Sequence, residues 1–189
     1  MGADMVTGAV NAVGGPAVDA LAAKVGVPAS VVNQFKPIII GLVVAGIGRM
    51  LKQQGGAAKM QDMINASSKA VGTTDPADFI KNVDPKKSMD MLGQLAGGNS
   101  LDNVVNNLAG KTGVDAGQLT GVLGSVAPLV LAGLGSMQAK NGWSTDQLAS
   151  GITEGVGAMK DAGVVDYVLD NTPGVSDDIK RGLSSLFGG

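Results

Sequence analysis

Two apolar runs dominate this chain, and they read alike. Pro37–Met50 (PIIIGLVVAGIGRM) and Leu119–Met137 (LTGVLGSVAPLVLAGLGSM) are apolar runs broken mainly by small residues, with Arg49 as their one charge. An offset of 87 residues lays Pro16–Gly55 on Asn103–Gly142 without a gap, and fourteen of the forty positions are identical. Unrelated stretches of this composition would share about three. The matched pairs include Leu21/Leu108, Ala22/Ala109, Lys24/Lys111, Gly26/Gly113, Val27/Val114, Leu42/Leu129, Val43/Val130, Gly46/Gly133, Gly48/Gly135 and Met50/Met137. The pattern implies a duplicated helical unit. The fold expected is an all-α, multi-helical bundle built from two homologous helical repeats, with no β-sheet.

Apolar spacing and turn residues divide the chain further. Residues 1–56 form the first repeat, 57–99 connecting short helices, 100–142 the second repeat, and 143–189 C-terminal helices that cover the core. Ala3–Val13 and Pro16–Val25 read as helices, and Gly26 suits a helix end with positive φ. Pro28 opens a third helix to about Phe35, and Pro37 opens the long apolar helix, which ends near Gln54. Ala57–Ala70 carries Met60, Met63, Ile64 and Ser67 at helical spacing. Asp75-Pro76 and Asp84-Pro85 are N-cap-plus-proline starts, and Ser100 and Asp115 are further caps. Pro37 aligns with Gly124 and Pro128 with Gly41, so the break before the apolar helix is expected to sit about one turn apart in the two copies. The tail continues with Ser144–Lys160, Val164–Leu169 and Ser176–Phe187, the last carrying Ile179, Leu183 and Leu186.

The residue inventory narrows the chemistry. The chain has no Cys and no His, which removes thiol and imidazole nucleophiles, bases and metal ligands. Its acids are fifteen Asp and Glu154, and its bases twelve Lys, Arg49 and Arg181, giving a net charge of −2. Such a balance leaves no electrostatic footprint for nucleic acid. Asp75, Asp78 and Asp84 cluster, but caps explain two of them. Asp166, Asp170, Asp177 and Asp178 lack the ordered spacing of a calcium loop. Gly46, Gly48, Gly133 and Gly135 sit in helical contexts, without the flanking signals of a phosphate loop. No cofactor or metal is expected, and the chain reads as not being an enzyme.

Two further readings compete with simple packing. Ala116–Ala139 has 24 residues without charge, long enough to cross a membrane. The matching run in the first copy has only twelve between Lys36 and Arg49, so the pair is read as buried bundle helices. The spacing Ala22, Gly26, Val32, repeated as Ala109, Gly113, Leu119, is that of a helix-turn-helix. A DNA reader needs cations around the second helix, and residues 16–36 carry a net charge of only +1. Close helix packing is the simpler account. With no basic stretch ahead of an apolar one at the start, cytoplasmic localisation is the default expectation, with export by a non-standard route left open.

The residues Leu108-Ala109-Gly110-Lys111-Thr112-Gly113-Val114-Asp115 and Ala127-Pro128-Leu129-Val130, with Leu21–Val27 and Lys36–Leu42 in the first copy, resemble the YidB-like bacterial domains of unknown function. The resemblance covers the two units and implies an all-α, multi-helical domain without transferable catalytic residues. The function expected is that of a non-catalytic helical scaffold or structural protein, acting by self-association or by packing on a protein partner. Its packing residues would be Ile38, Ile39, Leu42, Ala45, Gly46 and Ile47 in one copy and Leu129, Val130, Ala132, Gly133 and Leu134 in the other. A nucleic-acid binder and a membrane-associated helical protein are the alternatives.

Overall fold

A computed structural model describes residues 13–72, 75–96 and 113–161, together with Asp102, Val105, Asn106, Ala109 and Gly110. Among these residues the chain is helical, with no strand. In order, the helices are α1 (Gly15–Val25), α2 (Ala29–Leu51), α3 (Gly56–Val71), α4 (Pro76–Asn82), α5 (Pro85–Ala96), α6 (Ala116–Asn141) and α7 (Thr145–Asp161). The expected helices at Ala3–Val13 (apart from Val13 itself), Val164–Leu169 and Ser176–Phe187 lie outside the described residues, as does Ser100.

Helix α6 is the hub. It packs most extensively on α3 and α5 and also touches α1, α2 and α4. Every residue from Val122 to Ala132 is buried, so this segment is covered on all sides by protein rather than on a single stripe. Its start is fixed by a reciprocal capping box. The Asp115 carboxylate accepts from the amides of Gly117 (2.7 Å) and Gln118 (3.3 Å), and the Gln118 side chain accepts from the Asp115 amide. Gln118 Nε2 then donates to the carbonyls of Val25 and Gly26, both at 3.3 Å, which ties the start of α6 to the end of α1.

Both long helices run through a proline that the sequence pattern reads as a break. Pro37 lies within α2, and Pro128 within α6. An interior proline costs about 3 kcal/mol. Burying one Ile or Leu side chain returns about 1.5–3 kcal/mol, and the turns beyond the prolines bury Ile39, Ile40, Val43, Val44 and Ile47 in α2 and Leu129, Val130, Leu131 and Leu134 in α6. Packing therefore outweighs the local penalty, and the expected four-residue displacement of a helix start does not occur. Instead α2 begins at Ala29 and α6 at Ala116, positions related by the sequence offset. Helix α2 also stops at Leu51, short of Gln54.

Other landmarks recur at that offset. Gly26 (φ +77°) and Gly113 (φ +69°) are left-handed, and their amides donate to Ala22 (2.9 Å) and Ala109 (3.1 Å). Gly55 (φ +73°) and Gly142 (φ +64°) turn the chain after each long helix. The helices that follow, α3 and α7, each pack across onto the other long helix. A Cβ placed on Gly135 of α6 would collide with Ser68 Oγ and Ile64 Cγ2 of α3, and one placed on Gly48 of α2 would lie 3.1 Å from Val156 Cγ2 of α7. Side chains of α3 and α7 thus lie directly against the backbones of α6 and α2 at these two glycines, and Ile64 and Ile152 are fully buried. Helices α2 and α6 also touch one another directly.

A Gly135→Val substitution is expected to lower stability by about 2–3 kcal/mol through overpacking. Gly157→Ala, where nothing lies within 4 Å of the new Cβ, is expected to gain up to about 1 kcal/mol from helix propensity. Chemical denaturation midpoints of the two variants test this contrast. Ser125 is fully buried and its hydroxyl has no partner among the described residues. Ser125→Ala is accordingly expected to raise the midpoint, by about 1 kcal/mol.

Candidate functional site

Two polar devices set the position of α6 before any concave surface is formed. At its C-terminal end the amides of Gln138 and Gln61 of α3 bond reciprocally, at 2.8 and 3.0 Å, and Thr145 Oγ1 of α7 donates to the same Gln61 oxygen at 2.8 Å. Three helices meet there in one register. At the other end of α3, Gly72 (φ +55°) terminates the helix. Asp75 then accepts from the Ala77 amide at 2.8 Å and starts α4 at Pro76.

Between these anchors, the antiparallel crossing of α3 and α6 opens into a groove of about 290 Å³. Its floor is the α6 face bearing Leu129, Ala132, Gly133, Ser136 and Met137, and its wall is Val71 and Pro76. None of the seven side chains ionises, and the one polar group is the exposed Ser136 hydroxyl. Small residues at Ala132, Gly133 and Ser136 leave the floor shallow and smooth. The Ser136 hydroxyl has no acid or base beside it in this lining. The surface suits apolar side chains projecting from another helix.

The expected packing residues divide into two groups. Ile39, Gly46, Ile47, Val130 and Leu134 are buried within the fold, as Leu129 and Ala132 are on most of their surface. Leu129, Ala132 and Gly133 also border the groove. The side chains of Ile38, Leu42 and Ala45 lie outside the described ones. Val71 and Pro76 were not singled out in the sequence; they come from the 57–99 connection and reach the groove only through the fold.

The carboxylates have local duties. Asp75 caps α4, Asp84 accepts from the Lys86 amide at 3.0 Å, and Asp78 pairs with Lys81 at 2.9 Å. No group of three or more acidic residues suited to a metal occurs among the described residues; Asp166, Asp170, Asp177 and Asp178 lie outside them. Lys24 Nζ donates to the carbonyls of Ile80 (2.6 Å) and Val83 (2.5 Å) at the end of α4. Partial burial there lowers its pKa from the ordinary lysine value, with Asp84 opposing the shift. In the helix-turn-helix spacing, Ala22 and Val32 are buried around the left-handed Gly26, so these residues pack α1 on α2. Helix α6 is the one described helix long and apolar enough to cross a membrane, and 72% of its most apolar window is buried within the fold.

A family of bacterial proteins of unknown function (DUF937) matches residues 8–137. The chain belongs to this family. The match is a single span covering well over half of the chain, and it runs through the 57–99 connection and both apolar runs. It therefore takes in every residue of the groove and ends at Met137, before α7. No curated protein and no solved structure matches the chain.

Replacing Lys24 with Met keeps the aliphatic stem but leaves the carbonyls of Ile80 and Val83 without this donor. Stability is expected to fall by about 1–2 kcal/mol, read from the denaturation midpoint. An unchanged midpoint would mean that water satisfies both carbonyls.

Proposed function

We propose that this protein is a non-catalytic helical scaffold that acts by packing against protein, either further copies of itself or another chain. The observation that carries the reading is the groove on α6. It is an apolar, unionised, small-residue surface left open beside the buried core. A helix laid against Ala132, Gly133 and Ser136 could approach closely at little desolvation cost, as helix-in-groove recognition requires. The residue inventory supports the same reading, since a chain without Cys or His lacks the usual nucleophiles and bases. Burial of α6 within the fold weighs against membrane association. The low net charge weighs against binding to nucleic acid.

Molar mass in solution tests the self-associating form. The native chain is expected to show a concentration-dependent mass above that of one subunit by light scattering. Ser136→Arg, at an exposed position in the groove floor, is expected to weaken association at least tenfold while leaving the circular dichroism spectrum unchanged. A native chain that stays a single subunit up to millimolar concentration rules self-association out, leaving only a different protein as partner.

A further inference from the structure

We infer that the junction between α6 and α7 is a modification site, where the Asn141 side chain is converted spontaneously to aspartate and isoaspartate with water as the co-reactant. Asn141-Gly142 is the chain's single Asn-Gly pair. The reaction begins when the Gly142 backbone nitrogen, having given up its proton, attacks the side-chain carbonyl carbon of Asn141. A bond forms between that nitrogen and Cγ, the Cγ–Nδ2 bond breaks, and the side-chain nitrogen takes up a proton and leaves as ammonia. Water then opens the five-membered imide. Opening at Cγ gives aspartate, whereas opening at the backbone carbonyl carbon gives isoaspartate, in which the chain runs through Cβ and Cγ. Nothing is oxidised or reduced.

The turn favours this chemistry. Asn141 and Gly142 are both exposed, so water reaches the ring. Nothing lies within 4 Å of a Cβ placed on Gly142, which leaves room for the ring to close. The Gly142 amide donates to the Ala139 carbonyl at 3.4 Å, longer than an ordinary N–H···O bond, so little holds the attacking nitrogen. Asn33, Asn65 and Asn82 are exposed as well. They are followed by Gln34, Ala66 and Val83, whose Cβ atoms crowd the same attack. One contact opposes the reaction: Asn141 Nδ2 donates to the Met137 carbonyl at 2.8 Å. The side chain therefore lies back over the preceding turn and must swing round, a fraying motion that costs close to nothing at a helix end.

The product disturbs the seating of α7. Behind the left-handed Gly142 (φ +64°), the Trp143 amide donates to the Gln138 carbonyl at 3.0 Å, which closes the end of α6. Isoaspartate inserts one further backbone atom at this turn and puts the Trp143 amide out of register with its acceptor. It also sets a carboxylate at the negative end of α6. The side chain of Gln138 bonds to Gln61, and Thr145 at the start of α7 bonds to Gln61 in turn. Lengthening the turn pulls on that bond and on the contact of Val156 with Gly48, and so loosens α7 from α2.

Mass spectrometry of the full-length protein, held in warm, mildly alkaline buffer and then digested, tests the site. The peptide containing position 141 is expected to gain one mass unit, as NH2 is exchanged for OH, ahead of the peptides containing Asn33, Asn65 and Asn82. Its rate in the native chain is expected to lie within about tenfold of the rate in urea, because helix ends open readily. A native chain left unconverted while the urea-unfolded chain reacts to completion overturns the inference, as do equal rates at the four asparagines. Amide hydrogen exchange across residues 148–156 is expected to be at least tenfold faster in the isoaspartate form than in the unmodified chain. Asn141→Asp, which carries the charge without the extra backbone atom, is expected to retain slow exchange. Equal exchange in the isoaspartate and unmodified chains overturns the coupling to α7. Exchange as fast in Asn141→Asp as in the isoaspartate form overturns the role given to the lengthened backbone.

Discussion

The fold depends on how closely side chains of one helix approach the backbone of another at two glycines. At Gly135 side-chain atoms of α3 lie where a larger residue would place its Cβ, and at Gly48 a Val156 methyl of α7 comes within 3.1 Å of that place. Large rings are scarce in this protein, with three Phe, one Trp and one Tyr. Its core must therefore gain density from short distances between helix axes rather than from bulky side chains. The crossing at Gly135 brings Ile64 against α6, and the one at Gly48 brings α7 against α2. Burial of Met60, Ile64, Leu148 and Ile152 follows from these two approaches. Aliphatic side chains of the long helices fill the remaining space.

Polar groups in this setting specify register more than they stabilise. The reciprocal amide pair of Gln61 and Gln138, with Thr145 added, is satisfied only when α3, α6 and α7 meet at one height. Gln118 serves a cap at its own helix and reaches the carbonyls that end α1. Lys24 does the same for the end of α4. Each is a hydrogen bond worth about 1 kcal/mol net, but a sliding helix would leave its partners unsatisfied. Smooth Gly- and Ala-rich surfaces slide easily, and these bonds hold them in place.

Much of this architecture was legible in the residues themselves. Asp75, Asp84 and Asp115 cap the helices they precede, and Gly26 and Gly113 turn where their spacing requires. These signals are local, acting within one turn of chain. Pro37 and Pro128 misled because a proline states a local penalty, whereas burial on either side of it depends on helices far away in sequence. The groove was hidden for the same reason. Leu129, Ala132 and Gly133 stood out as an apolar stretch, but Val71 and Pro76 acquire meaning only once α3 has crossed α6. Lys24 stood out only as a matched position, and its carbonyl acceptors lie more than fifty residues downstream.

The seating of α7 has a consequence for synthesis. Gly48 and Val156 are brought into contact across more than a hundred residues of chain. While a ribosome is still extending the protein, the apolar surface of α2 that α7 covers has no cover of its own. At ordinary elongation rates of about 5–20 residues per second, that surface waits for about 5–20 seconds. Until α7 emerges, that face of α2 cannot take up its final cover.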